Sequence, residues 1–282
     1  MYDEGGMAPE PMSQDFGPHD SGVQSKLKYS LEGIIPLILI IIIIAFLGHQ
    51  FGFWNIPGLT DKGPMRMLII GSPSAEFKDV LNQDKDLVRY DFRGADRLKT
   101  NPEDILGEYD IVVLDQHLES EKDISRQLGE AIKDYVGKGG KFILVMDSGI
   151  RRTNDSAILG WEATFGDIVP VSCDIIGEDD VRGCTKKVYV TGRIYRDDFK
   201  HPIMKGIEYA PGEGGYNYTL ETLPVNITGN QIAWIEMYPY ESEADQYPAI
   251  VEKKLVIGKS LYFGYDPGYS KGIFDATLKY LR

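Results

Sequence analysis

The chain of 282 residues is short of the side chains that most often build metal and thiol chemistry, with two cysteines and four scattered histidines. A structural zinc site needs four converging Cys or His ligands, so no metal and no cofactor is expected. A basic excess is also missing. Lys and Arg number 30 against 43 Asp and Glu, a net charge of -13, and a nucleic-acid surface requires the opposite balance. No internal repeat is visible. A cleavable signal peptide is not expected either, and a retained signal anchor fits better: a long polar tail precedes the only long apolar run, the run is too long, and no clear small-x-small site follows.

That apolar run is the most informative stretch present. From Gly33 to Thr60 there is no charged residue, and "IIPLILIIIIIAFLG" is almost entirely Ile and Leu. A bilayer core of ~30 Å needs about 20 apolar residues as a helix, which Ile34 to Trp54 supplies. Phe51, Phe53 and Trp54 fall where an interfacial aromatic belt would lie. The expected organisation is a flexible acidic tail over 1–30, a transmembrane helix over 31–54, a linker over 55–64 and one domain over 65–282. The tail has no apolar periodicity and cannot fold alone.

Orientation is nearly silent in the positive charges, since Lys26 and Lys28 precede the run and Lys62 and Arg66 follow it. Two other signals point one way. Three N-x-S/T sequons, at Asn154, Asn217 and Asn226, all follow the run, as does the close pair Cys173 and Cys184, whose spacing allows a disulfide. The expectation is a single-pass protein of the cell membrane, with a cytoplasmic N-terminus and an extracytoplasmic C-terminal domain.

From Met65 the chain reads as α/β. "MRMLIIG", "YDIVVLD" and "KFILVM" are continuous apolar strands, with "LVRYDFRG" between the first two. Ile124, Leu128, Ala131, Ile132 and Val136 recur at helical spacing before a glycine-rich stop at Gly137, Gly139 and Gly140. Apolar strands alternating with amphipathic helices predict a doubly wound, mainly parallel sheet covered on both faces. The second half is richer in strands, with a hairpin in "AIVEKKLVIGKSLYFGY" turning near Ile257 to Ser260, and a closing helix through Leu281.

"GKGGKFILVMDSGIRR", Gly137 to Arg152, reads as a helix end, a buried strand and a sharp turn. With "YDIVVLD", "HPIMKGI", "YPAIVEKK" and "GKSLYFGYDPG" in this order, residues 65–282 resemble the class I glutamine amidotransferase-like fold. The nearest branch is the trehalose-utilisation-like and gliding-motility-accessory group, which includes a domain of an oligosaccharyltransferase lumenal subunit. That family carries a G-x-C-x-G elbow and a late H-P-E, where a strand–turn–helix exposes a thiolate beside a base. Laid on this pattern, Val145 replaces the leading Gly, Asp147 stands at the Cys, with Ser148 and Gly149 after it, and Asp266-Pro267-Gly268 replaces the late motif. The resemblance thus implies the fold without glutaminase chemistry.

Strand C-termini of an open parallel sheet converge on one crevice. Gly71, Ser72 and Ser74, Asp115, Gln116 and His117, Asp147 and Ser148, and Tyr265 and Asp266 are expected there. Asp115, Asp147 and Asp266 could cluster as acid and base, and Ser148 with His117 could pair as nucleophile and base. Against this, Asp at a strand end commonly caps the next helix. The sequence therefore leads to two readings. One is a membrane-anchored, non-enzymatic accessory subunit of a larger membrane complex, its partner of glycosyltransferase or transporter type as the resemblance implies. The other is a hydrolase or a carbohydrate- or ligand-binding protein using the crevice.

Overall fold

The computed structural model describes residues 35–44, 63–152, 158–162, 164–173, 175–176, 181–182, 184, 186–239 and 246–282. The chain divides into two units, Met1–Asp61 and Lys62–Arg282. In the first, residues 35–44 form a helix whose Ile and Leu side chains are exposed. Among the described residues no helix is long and apolar enough to cross a membrane. The tail over 1–30, most of the expected span over 31–54 and most of the linker over 55–64 lie outside the described residues.

The second unit is built on one ten-stranded sheet. Its strands are β1 (Met65–Gly71), β2 (Val88–Arg93), β3 (Ile111–Asp115), β4 (Lys141–Val145), β5 (Val188–Arg196), β6 (Tyr209–Ala210), β7 (Tyr218–Thr222), β8 (Asn230–Met237), β9 (Gln246–Lys254) and β10 (Lys259–Phe263). Their order is β6-β5-β8-β9-β10-β4-β3-β1-β2, with β7 also paired to β5. The sheet is mixed. The run β10-β4-β3-β1-β2 is parallel throughout, and every pairing from β10 to β6 is antiparallel.

Burial explains the sequence pattern. On β1, Met67 and Ile69 enter one core while Leu68 and Ile70 enter the other, because successive side chains alternate faces. A strand covered on both faces has few positions for a polar residue, so Met67 to Ile70 on β1, Ile111 to Leu114 on β3 and Phe142 to Val145 on β4 read as unbroken apolar runs. Helices α1 (Ala75–Gln83) and α4 (Lys271–Leu281) cover the first face, with Phe77 meeting Phe274 edge to face at 4.8 Å. Helices α2 (Pro102–Leu106) and α3 (Arg126–Gly137) cover the second. The hairpin between β9 and β10 turns over Leu255 to Gly258, with Lys259 and Ser260 already in the strand. Gly258 makes the turn possible, since a Cβ there would stand 2.0 Å from the Val136 carbonyl oxygen.

The motif "HPIMKGI" ties α4 to the sheet. His201 Nδ1 accepts from the Ile203 N–H at 3.3 Å, and its Nε2 faces Glu252 Oε2 at 3.2 Å, where Glu252 is almost fully buried on β9. The Tyr280 hydroxyl of α4 donates to the other carboxylate oxygen at 2.5 Å. Burial alone would raise the Glu252 pKa. The bonds from His201 and Tyr280 and the charges of His201 and Lys254 outweigh it, and the pKa lies below the ordinary 4.5. A carboxyl depressed in the folded state stabilises above its unfolded value, and that contribution vanishes as pH falls through the folded value. Glu252→Gln is expected to lose about 1–3 kcal/mol at pH 7. Urea unfolding from pH 7 to pH 3 should show the deficit shrinking below pH 4.5; a constant deficit would refute this account.

Cys173 and Cys184 are joined in a disulfide, both buried.

Candidate functional site

The C-terminal ends of the parallel strands meet as sheet geometry requires, but only some of the expected residues face one another. Strand β3 ends at Asp115, whose buried carboxylate turns to His117 and bonds its Nδ1 at 2.5 Å. The opposite ring nitrogen, Nε2, lies 3.8 Å from Asp266 Oδ2. Burial would lower the His117 pKa; the Asp115 bond and the charges of Asp115 and Asp266 outweigh it and hold the imidazole above its ordinary value. His117 thus stands between two carboxylates, Asp115 and Asp266.

Asp266 opens the short turn before α4 and accepts from the Gly268 N–H at 2.9 Å. Burial raises its pKa, while the Ser74 hydroxyl, the Gly268 N–H and His117 pull the other way without reversing the shift. Ser74 is also the N-cap of α1, accepting from Phe77 N–H at 2.9 Å, so one hydroxyl fixes both the helix start and the Asp266 carboxyl.

The turn after β4 is sharp; its first residue, Met146, is left-handed at φ +49°, as is Gly149 at its end. The left-handed residue at the strand end is therefore Met146, one position before Asp147. Met146 lines the cleft described below, and Asp147 is turned inward. Asp147 Oδ1 faces Lys122 Nζ at 3.2 Å and Lys187 Nζ at 3.6 Å. Lys122 also donates to the carbonyls of Gln116 and His117, at 2.7 and 2.8 Å. Lys187 reaches the His117 carbonyl at 2.8 Å and Glu221 at 2.9 Å. Burial holds the Lys122 pKa below its ordinary value despite the attraction of Asp147.

The remaining expected residues are structural. Ser148 Oγ accepts from the Gln116 N–H at 2.7 Å, and its carbonyl accepts from Trp161 Nε1 at 2.9 Å. Among the described residues no hydrogen bond joins its hydroxyl to His117, as the expected nucleophile–base pair would require. Gly149, at φ +69°, donates its N–H to Gln116 Oε1 at 3.1 Å. Ser72 Oγ donates to Glu119 at 2.9 Å. Asp115 and Asp266 converge through His117, whereas Asp147 sits with the lysines, which breaks up the expected cluster of three carboxylates. A buried carboxylate needs compensating charge, and Lys122 and Lys187 supply it on the far side. Among the described residues no group of three His, Cys, Asp or Glu is arranged to hold a metal ion.

His117 and Asp266 open onto a cleft of about 810 Å³. Its floor is Met146, and its walls include the N-terminus of α1 with Glu76, and strand β7 with Tyr218 and Glu221. Asn217, the first residue of one sequon, lies on the wall, with its Oδ1 accepting from Arg193 Nε at 2.9 Å. Asn226 is half-buried in a short pairing with Ser172, and Asn154 lies outside the described residues. Sequence reasoning missed Lys122 and Lys187, which carry no motif, and Glu76, marked only by its place just after the N-cap serine of α1.

No protein-family model matches the chain, and no curated protein sequence matches it. Among solved structures, a ThuA-like protein of Bacteroides uniformis is similar at 13% identity and a TM-score of 0.49, over 80% of this chain and 95% of that one. A β-galactosidase from Rahnella sp. R3 is similar at 14% identity and a TM-score of 0.48, over 77% of this chain. The chain spans only 31% of that enzyme's length. A protein of Thermoplasma acidophilum named for a GMP synthase subunit is similar at 8% identity and a TM-score of 0.40, over 77% and 94% of the two chains.

Proposed function

We propose that the chain is a membrane-tethered, non-enzymatic accessory subunit of a larger membrane complex, using a degenerate amidotransferase-like domain for protein interaction. The observation that carries this reading is the turn after β4. Acyl-transfer chemistry at such a turn requires a nucleophile that a neighbouring base can deprotonate. The position is filled by the Met146 thioether, which has no proton to lose, and the adjacent Asp147 and Ser148 are tied into ion pairs and backbone bonds.

The tether rests on the uncharged run Gly33 to Thr60, of which residues 35–44 form a helix with exposed Ile and Leu side chains. A helix apolar all round suits lipid or a partner helix better than water. The disulfide Cys173–Cys184 supports an oxidising, extracytoplasmic location for the C-terminal domain and a cytoplasmic tail. The partners on this reading are the bilayer and a membrane protein of glycosyltransferase or transporter type.

A second reading, a hydrolase or a carbohydrate- or ligand-binding protein, keeps one observation in its favour: the His117 ring between two carboxylates at the edge of an open cleft. Gentle detergent extraction from native membranes, followed by size analysis and mass spectrometry of whatever co-purifies, separates the two. A stoichiometric membrane partner is the expected result. A lone monomer or homodimer would overturn the subunit reading and move the weight to the second.

A further inference from the structure

The cleft at the strand ends is lined by three carboxylates, Glu76, Glu221 and Asp266, and by one imidazole, His117. The His117 ring stands between two carboxylates, Asp115 and Asp266. Lys187 is committed to Glu221 and Asp147, and Lys122 to Asp147. Glu76, exposed in the first turn of α1, has no ion-pair partner among the described residues. The field of these groups converges at one place: the Tyr269 phenol is raised by burial and then by the charges of Asp266, Glu76 and Glu221.

The rim is aromatic and unusually bare. Tyr216 is 95% exposed, Tyr189 74% and Tyr269 44%, with Leu118 beside them at 61%. Among the described residues, none of these three rings is stacked on another aromatic ring and none is covered by a cation. Tyrosines around a charged centre are what a protein interface places at its most energetic positions, and the partner side chain that suits them best is arginine. Its guanidinium is planar, weakly hydrated, stacks on aromatic faces and bonds a carboxylate with two N–H groups at once.

The geometry points to this cleft as the docking site for an arginine presented by a partner protein, with the guanidinium between Glu76 and Asp266 and its plane against the tyrosine rim. A neutral sugar would bring no charge to Glu76 and Asp266. A bare metal ion would lack a converged set of ligands among the described residues. This assignment rests on the accessory-subunit reading, because it names the surface through which the subunit would hold its partner.

The test uses the full chain in detergent micelles and three probes: the peptide acetyl-Gly-Arg-Arg-Gly-amide, the same peptide with Gln in place of Arg, and maltotriose. Binding is read by calorimetry. The arginine peptide is expected to bind, the other two are not, and Glu76→Lys should weaken binding about tenfold or more. Glu76 is exposed, so that substitution leaves the fold in place. Removing the exposed acids Glu103 and Asp104 as Gln and Asn should leave binding within about twofold, separating the cleft from the general acidity of the chain. Equal binding by the Glu76→Lys variant, binding of the Gln peptide, or binding of maltotriose without the arginine peptide would overturn the assignment. A membrane partner that co-purifies with a chain unable to bind the arginine peptide overturns only this site. Peptide binding by a chain that co-purifies with nothing overturns the subunit reading instead.

Discussion

Gly71→Ala is expected to lose about 3–5 kcal/mol of stability and to disturb His117 with it. Gly71 closes β1 at φ +118°, a conformation that side chains with a Cβ rarely adopt. The approach of the next strand adds a second penalty. A Cβ at Gly71 would stand 2.1 Å from the Asp115 carbonyl oxygen and 2.9 Å from Gln116 Cγ, both in the segment that carries the site. Backbone cannot yield as the end of a flexible side chain can, so the pairing of Gly71 with Asp115 and the bond from Ser72 N–H to the Asp115 carbonyl must both shift. Asp115 in turn orients His117. Urea unfolding should therefore show a lower midpoint at unchanged slope, and the His117 ring signals should move in the NMR spectrum of the folded variant. A variant with the parent's midpoint would show that the strand ends are not packed this closely.

This dependence on backbone contact explains what could be read in the sequence. Ile111 to Leu114 and Phe142 to Val145 were legible as buried strands because both faces of the sheet are covered, which forces an unbroken apolar run. The helix α3 was legible from Leu128, Ala131, Ile132 and Val136, all on its buried stripe. The helix α1 was not, since nine residues with Phe77, Val80 and Leu81 as the buried set are too few for a clear period.

The site divides in the same way. Asp115, His117 and Asp266 lie together because they sit at or just past strand ends, where topology alone brings side chains together. Which residue of the turn after β4 takes positive φ could not be read, because no glycine marks the position and methionine seldom adopts that conformation. The one-residue difference places Met146 on the cleft lining and leaves the Asp147 carboxylate with the lysines. The charge that receives Asp147 was equally hidden. Lys187 donates to the carbonyl of a residue 70 positions away in the chain, and nothing local to "CTKKVYV" announces that partner.

Asp147→Ala is the second large effect, and its pH dependence tests the cause. The carboxylate is almost fully buried and offsets two ammonium groups whose side chains are 11% and 21% exposed. Removing one member of a buried ion pair costs about 3–5 kcal/mol because the surviving charge keeps its desolvation without its partner. Lys187 retains Glu221, so most of the loss falls on Lys122, which is left with the carbonyls of Gln116 and His117. Burial already depresses the Lys122 pKa below 10.5, and Asp147 is the leading attraction that opposes this. In the variant the folded-state pKa drops further, so between that value and 10.5 the unfolded chain binds more protons than the folded one. Stability then rises with pH. The deficit of Asp147→Ala relative to the parent should be largest near pH 7 and shrink by pH 10, read from denaturant midpoints at each pH. A deficit that stays constant would assign the loss to packing, and a neutral substitution would mean that Asp147 is not what compensates the two lysines. Asp147→Asn distinguishes volume from charge. It keeps the shape of the side chain and should reproduce most of the loss at pH 7, because an amide supplies a dipole where Lys122 requires a full negative charge.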